Sequence, residues 1–199
     1  GLGGLTVASA IRQALPSERL LYFGDTAHIP YGDRSLREVR AFSAGIVRAL
    51  MGKGCKMIVI ACNTASAAAL KELREAYPRF PFIGMEPAVK PAAERSRSQV
   101  VGVIATRATF QGELFASVVE RFAQGVKVIE QPCPGLVQAI EAGDLDSPGT
   151  EHMLRAWLEP MLAQGMDELV LACTHYPLVR PLIERICGQA SSLESGLDE

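Results

Sequence analysis

Two segments of the chain share one pattern, an apolar run that ends in Ala-Cys and is followed by small polar residues. The first covers residues 57–64 and contains Cys62, and the second covers residues 168–175 and contains Cys173. Runs of this length are typical of buried parallel strands, and ligands bind beyond the carboxyl ends of such strands. We therefore expect both thiols to face one site, where a group with a reference pKa of about 8.5 serves as acid or base.

The composition favours a small polar metabolite as partner. The chain has 199 residues, 48% of them hydrophobic, and a formal net charge of -2, so nothing in the charge indicates binding to nucleic acid or to an anionic membrane. No apolar run approaches the length of a membrane helix, about 20 residues. Five cysteines without a Cys-x-x-Cys pair indicate reduced thiols and a cytoplasmic location, and three scattered histidines make a metal site improbable.

Strand-like and helix-like segments alternate along the chain, which predicts an α/β fold with parallel sheets. Strands are predicted at residues 20–23, 57–61, 82–85, 100–104, 126–130 and 168–172. Helices are predicted at residues 5–15, 65–77, 109–122, 135–142 and 179–187, with two more beginning near Ser35, at a Ser-x-x-Glu capping box, and at Ser147-Pro148.

We predict a boundary within the chain at residues 86–98, where prolines and a charged, serine-rich stretch interrupt the pattern of apolar residues. We predict two small doubly wound domains, residues 1–88 and residues 89–188, with the active site in the cleft between them. Residues 189–199 are candidates for a return to the first domain. The chain begins with Gly-Leu-Gly-Gly rather than Met, and we expect the natural protein to extend beyond it at both ends.

Four segments together resemble the signature segments of the glutamate racemases. They are Gly-Asp-Thr-Ala-His-Ile-Pro-Tyr-Gly at 24–32, Ala-Cys-Asn-Thr-Ala-Ser at 61–66, Gly-Val-Ile-Ala-Thr-Arg-Ala-Thr at 102–109 and Cys-Thr-His-Tyr-Pro at 173–177. They occur in the family's order and at similar separations. The resemblance extends from the first residues to about residue 187 and implies two α/β domains with the substrate between them.

The resemblance also implies the reaction and the residues that perform it. The family interconverts L- and D-glutamate without pyridoxal phosphate or metal and supplies D-glutamate for bacterial peptidoglycan. By motif, Cys62 would take the α-proton from D-glutamate and Cys173 from L-glutamate. The substrate would be held by Tyr31, Gly32, Asn63, Thr64, Thr174 and His175. In the family a strand ending in Asp-Ser precedes the Gly-Gly-Leu segment, and that strand would lie before residue 1.

The chemistry of racemisation explains why such residues are needed. A proton leaves one face of Cα and another arrives at the opposite face, so one base for each face is the direct solution. We expect a helix or turn after each cysteine, whose exposed backbone N–H groups favour a thiolate and bind carboxylates. His175 would be a proton partner or an orienter of Cys173, and Glu141 matches an acidic position that the family places on the same side. Thr106 and Thr109 either bind substrate or only start a helix.

Other functions remain open from the sequence alone. A cysteine after an apolar run is often only a small buried side chain, although two in matching contexts weaken that interpretation. A thiol redox protein would use one low-pKa cysteine and a resolving partner. A binding module would close around a dicarboxylate without turnover. The sequence leaves oligomeric state undecided, including a homodimer.

Overall fold

The computed structural model describes residues 1–188 and 192–195, and within them strands and helices alternate as predicted. The strands are β1 (Ile58–Ile60), β2 (Phe82–Gly84), β3 (Val100–Ala105), β4 (Lys127–Pro132), β5 (Glu168–Leu171) and β6 (Ser192–Ser195). The helices are α1 (Leu2–Ala14), α2 (Leu36–Gly52), α3 (Asn63–Ala76), α4 (Val89–Arg95), α5 (Arg107–Phe110), α6 (Glu113–Phe122), α7 (Leu136–Glu141), α8 (Pro148–Leu162) and α9 (Arg180–Cys187). Short 3-10 helices lie at Tyr31–Asp33 and Tyr176–Val179.

The larger sheet has the strand order β4-β3-β5-β6, and every pair in it is parallel. Successive residues of β5 point to opposite faces of the sheet. Leu169 and Leu171 pack with α7, α8 and α9, whereas Val170 packs with α4 and α6. A parallel sheet covered by helices on both faces explains why its strands are continuous apolar runs rather than alternating ones. The predicted α/β fold with parallel sheets is confirmed.

The smaller sheet consists of β1 and β2, paired in parallel with Ile58 opposite Phe82. One face packs against α2 and α3 through Ile58, Ile60 and Phe82. The other face leaves Ile83 47% exposed. Helix α2 begins as predicted, because the Ser35 hydroxyl accepts the Glu38 N–H while the Glu38 carboxylate accepts the Ser35 N–H at 3.0 Å.

Residues 192–195 form β6, which pairs with β5 at the edge of the larger sheet. This is the described part of the segment considered for a return to the first domain. The rest of residues 189–199 lies outside the described residues. No helix formed by the described residues has the length and apolar character needed to cross a bilayer.

The predicted strand at residues 20–23 is wrong. Four consecutive apolar residues suggested burial, but the side chains are 44–51% exposed and no neighbouring strand of the described chain accepts them as a partner. A hydrophobic segment forms a strand only where a neighbouring strand can pair with its backbone N–H and C=O groups, so hydrophobicity alone does not predict one reliably.

Two further differences concern helices. The helix predicted at residues 109–122 is divided into α5 and α6, and Gly112, a poor helix former, adopts an extended backbone and caps α6. The stretch at 86–98 contains α4, with Val89 and Ala92 buried against the larger sheet. Pro91 lies in the first turn of α4, where an N–H would have no partner within the helix, so it does not break the helix.

Candidate active site

The two cysteines occupy matching positions beyond the carboxyl ends of their strands. Cys62 follows β1 by two residues, and Cys173 follows β5 by two residues. Both strands belong to parallel sheets whose carboxyl ends carry the loops that bind ligands in this class of fold. Cys173 is 7% exposed and Cys62 is partly exposed, and both are free thiols.

Helix α3 supports Cys62 directly. Cys62 is the N-cap of this helix, and its Sγ accepts the backbone N–H of Ala65 at 3.5 Å. Loss of hydration raises the pKa of the Cys62 thiol, while the N–H groups of Ala65 and Thr64 and the Thr64 hydroxyl act in the opposite direction. The helix N-terminus therefore offers a thiolate at Cys62 several donors that would stabilise its charge.

Cys173 is supported by a histidine and a carboxylate. His175 Nδ1 lies 3.8 Å from Cys173 Sγ, and His175 Nε2 lies 2.6 Å from Glu141 Oε1. The same Glu141 oxygen accepts the N–H of Leu2 at 2.8 Å. The chain order Cys-x-His with a carboxylate from α7 thus forms a relay from the thiol to Glu141.

The charges of this relay follow from burial and hydrogen bonding. Burial lowers the pKa of His175, and the Glu141 carboxylate only partly offsets this effect. Burial opposes ionisation of Glu141, but hydrogen bonds from His175 and the Leu2 N–H outweigh it and lower the pKa of Glu141. An ionised Glu141 accepts the Nε2–H of a neutral His175, which leaves Nδ1 with a lone pair directed at the Cys173 thiol.

The loops that carry the two thiols meet although 111 residues separate Cys62 from Cys173. The pKa of Cys173 is raised to about 12, mainly by burial and in smaller part by a thiolate at Cys62, while the N–H groups of His175 and Tyr176 oppose the rise. The hydroxyl of Thr174, the residue after Cys173, donates to the carbonyl of Ala61, the residue before Cys62. The larger and smaller sheets therefore bring Cys62 and Cys173 to the same region.

Three threonine hydroxyls join the two halves of the structure, by which we mean the part built around the smaller sheet and the part built around the larger sheet. Thr64 at the start of α3 lies 2.8 Å from Thr106 and 3.2 Å from Thr109, and Thr106 lies 3.0 Å from Thr109, measured between Oγ1 atoms. All three residues are buried, and Thr109 is only 1% exposed. We call these residues the threonine triangle. Three hydroxyls hold three protons, so a closed ring uses every donor, and a ligand carboxylate must reorient one of them.

Asn63 and Thr174 lie next to the two cysteines. Asn63 is 5% exposed, and its buried Oδ1 has no hydrogen-bond partner in the part of the chain that the structure describes. A buried acceptor without a donor is costly, and it marks a place that a ligand donor would satisfy. The Thr174 hydroxyl donates to the Ala61 carbonyl at 3.4 Å, which links the two cysteine loops.

The loop before α2 presents Tyr31 and Gly32. The Tyr31 hydroxyl donates to Asp25 Oδ2 at 2.6 Å, while His28 Nδ1 lies 2.7 Å from Asp25 Oδ1. Burial and the hydrogen bond to Asp25 raise the pKa of Tyr31. A side chain at position 32 would meet Thr106 at 2.8 Å, so only glycine permits this approach of the loop to the larger half.

A cavity of about 450 Å³ opens beside this loop. Gly32, Thr106 and Cys133 line it, but neither Cys62 nor Cys173 does. At its edge the Gln138 amide donates to Asp33 Oδ2 at 2.8 Å, which is another link between the two halves. The cavity therefore adjoins the two-cysteine region without containing it.

Sequence reasoning missed three residues. Asp25 orients Tyr31, and Cys133 packs in the same buried cluster as Cys173. The buried Tyr176 hydroxyl has no hydrogen-bond partner among the described residues. Asp25 precedes Tyr31 by six residues in an irregular loop, so no periodicity indicates the contact. The position of Tyr176 beside Cys173 and His175 was the available signal for its proximity to the site. The described part of the chain holds no group of three or more His, Cys, Asp or Glu side chains arranged for a metal ion.

Comparison with known proteins gives a consistent result. The sequence profile of the family described as Asp/Glu/Hydantoin racemase matches residues 5–192. A glutamate racemase from Stutzerimonas stutzeri is 56% identical over 186 residues, which cover 94% of this chain and 70% of the relative.

Two solved structures are similar over nearly the whole chain. The Escherichia coli glutamate racemase, in complex with L-glutamate and the activator UDP-MurNAc-Ala, has a TM-score of 0.86 at 32% identity and covers 98% of this chain and 74% of its own. The Francisella tularensis glutamate racemase in complex with D-glutamate has a TM-score of 0.85 at 32% identity, with 99% and 74% covered. The two complexes hold opposite enantiomers of one amino acid.

Proposed function

Because this chain belongs to the Asp/Glu/Hydantoin racemase family, we propose that it interconverts L- and D-glutamate through Cys62 and Cys173. Its relatives at 51–56% identity are named glutamate racemases. The observation that carries the two-thiol mechanism is the 3.4 Å contact between the Thr174 hydroxyl and the Ala61 carbonyl, which joins the two cysteine loops. The substrate is a small molecule, and the reaction proceeds by proton transfers alone.

Each direction of the reaction breaks one Cα–H bond and forms another. With D-glutamate, the Cys62 thiolate takes the α-proton, the electron pair remains on Cα and its carboxylate, and the Cys173 thiol gives its proton to the opposite face. With L-glutamate the two roles are exchanged. Both thiols have raised pKa values in the free site, so the substrate ammonium group, arriving between them, is what favours the thiolate.

His175 and Glu141 serve the Cys173 side. The Nδ1 lone pair of His175 receives the thiol proton when Cys173 must become a base and returns it when Cys173 must be an acid. Glu141 keeps Nε2 protonated and therefore keeps Nδ1 free for this exchange. The α3 N-terminus performs the corresponding task for Cys62, so the two thiols are chemically matched by different means.

Polar groups around the thiols hold the substrate in this proposal. The unpartnered Asn63 Oδ1 accepts from the α-ammonium group, and the hydroxyls of Thr64, Thr106 and Thr174 donate to carboxylate oxygens. Tyr31 and Gly32 close the cleft from the opposite loop. Thr109 is nearly inaccessible, and it serves the substrate through the threonine triangle.

The cellular role follows from the reaction in this proposal. The protein acts in the cytoplasm and supplies D-glutamate for peptidoglycan, and so supports cell-wall formation and cell shape. A homodimer is a further proposal, supported by an apolar hollow beside α1 that is lined by the exposed residues Leu2, Leu5 and Leu145. Sedimentation velocity over a range of concentrations tests it, and a single monomer mass throughout would contradict it.

The decisive experiment follows α-proton exchange and optical rotation together. Each enantiomer of glutamate is incubated in D2O with the protein and with Cys62→Ser, Cys173→Ser and the control Cys55→Ser, which removes a thiol outside the site. We expect racemisation with the unmodified protein and with Cys55→Ser, and a loss of at least 100-fold in the other two, since general acid–base groups contribute about 10²–10⁴-fold. Full racemisation by both Cys62→Ser and Cys173→Ser would contradict the two-thiol mechanism.

A further inference from the structure

The 450 Å³ cavity beside the proposed site contains more positive than negative charge. Two guanidinium groups, Arg34 and Arg107, line it together with the single carboxylate of Asp33. Its volume falls within the range of small-molecule sites, about 300–1,000 Å³. The polar amides of Gln111 and Gln138 also reach its wall.

The two arginines differ in what they contact. Arg34 is occupied, because its Nε donates to the His28 carbonyl at 3.3 Å, its Nη1 lies 3.6 Å from Glu38 Oε1, and its guanidinium lies over the Phe42 ring. Arg107 is exposed and contacts no acceptor or carboxylate within the part of the chain that the structure describes. It is therefore the cation of this cavity that remains available to an anion.

The cavity also borders two residues of the proposed substrate site. Gly32 and Thr106, which line it, are proposed substrate ligands, and Arg107 follows Thr106 directly in the chain. Cys133, in the same wall, has its pKa raised by burial and further by Cys173. A molecule in the cavity would thus contact Thr106, which is a member of the threonine triangle.

We propose that this cavity is a vestibule that binds a carboxylate of incoming glutamate, with Arg107 as the residue that attracts and holds it. This inference rests on the proposed function and adds a residue to substrate specificity. Glutamate has one more carboxylate than ammonium group near neutral pH, so a guanidinium at the entrance favours it over neutral amino acids. Arg107 takes no part in proton transfer.

The test compares Arg107→Gln with Arg107→Lys and with Arg79→Gln. Arg79 is exposed in the turn before β2, at the edge of the smaller sheet opposite Cys62, and its replacement causes the same change in net charge. At low ionic strength we expect Arg107→Gln to raise KM for both enantiomers about two- to fivefold with kcat unchanged, the size typical of a solvent-exposed ion pair. Arg107→Lys should retain most of the affinity, and Arg79→Gln all of it.

Salt gives a second readout that a structural role would not change. The difference in KM between the unmodified protein and Arg107→Gln should shrink as ionic strength rises, because screening weakens an exposed ion pair. Equal KM values for Arg107→Gln and Arg79→Gln at low salt, or a fall in kcat with KM unchanged, would overturn the vestibule. Absence of racemisation by the unmodified protein would instead contradict the proposed function.

Discussion

At the residue scale, the two thiols are matched in role but supported differently. Cys62 depends on the backbone N–H groups of a helix N-terminus, which neither gain nor lose a proton near neutral pH. Cys173 depends on His175, whose protonation is controlled by Glu141. The chemistry at Cys173 should therefore respond to pH and to substitution of Glu141, which acts on the thiol through His175. The stabilisation of a Cys62 thiolate by the helix should not depend on either.

Replacement of Glu141 by Gln tests this dependence. The amide no longer accepts Nε2–H with a full charge, so Nδ1 is less reliably free, and kcat/KM should fall about tenfold, less than the loss expected for a direct acid or base. The fall must be equal for both enantiomers, since the equilibrium constant between mirror images is one. Initial rates by circular dichroism measure it, with exposed Glu130→Gln as the control.

The pH profile of Glu141→Gln supplies the second part of that test. Glu141 raises the pKa of His175, so its removal should lower this pKa further and move the acidic limb of the rate profile to lower pH. An unchanged limb would show that His175 does not titrate in the reaction.

At the element scale, the loop between α4 and β3 is tied to the start of β5 by one carboxylate. Asp167 accepts the Ser96 hydroxyl at 2.6 Å and the N–H groups of Arg97 and Ser98 at 2.7 and 2.8 Å. Burial alone would raise the pKa of Asp167, but these hydrogen bonds lower it to about 2. The loop thus helps to align β5, the strand that ends before Cys173.

Asp167→Asn should lower the free energy of unfolding by about 1 kcal/mol at pH 7, a discounted value because the carboxylate is partly solvated. The folded pKa lies below the unfolded value of about 3.8, so the stabilisation is complete above that pH and is lost as pH falls toward 2. Urea denaturation at pH 7 and near pH 3 measures this, with exposed Asp146→Asn as the control. A difference that persists undiminished at the lower pH would contradict the account.

At the scale of the whole molecule, polar contacts join the two halves around the site. They include the threonine triangle, the Gln138–Asp33 hydrogen bond and the contact of Thr174 with the Ala61 carbonyl. Because these contacts lie beside the cysteines, the relative position of the halves is coupled to the geometry of the site.

Thr109→Val tests that coupling, because valine keeps the shape of threonine and removes its hydroxyl. We expect the free energy of unfolding to fall by about 1 kcal/mol, the usual net value of a buried hydrogen bond. The KM for glutamate should rise severalfold, since Thr64 and Thr106 lose a partner that orients them. Thr109→Ser should restore both quantities. A normal KM in Thr109→Val would mean that the third hydroxyl is not needed for binding.

Much of the fold and of the proposed site was accessible from the sequence, because the evidence was local. Apolar runs at 100–104 and 168–172 indicated buried strands, the Ser-x-x-Glu pattern indicated the start of α2, and the repeated Ala-Cys ending indicated two matching loops. Residues 20–23 carried the same local signal and form no strand, because pairing depends on a neighbour that local sequence does not specify.

The sequence by itself determined the parallel α/β class and the placement of each cysteine after a strand, since both follow from periodicity and from neighbouring residues. Tertiary structure decided which of these groups meet. Glu141 with His175, Thr64 with Thr106, and Asp33 with Gln138 are 34, 42 and 105 residues apart in the chain. Such contacts depend on how helices pack across two sheets, and no local pattern encodes that packing.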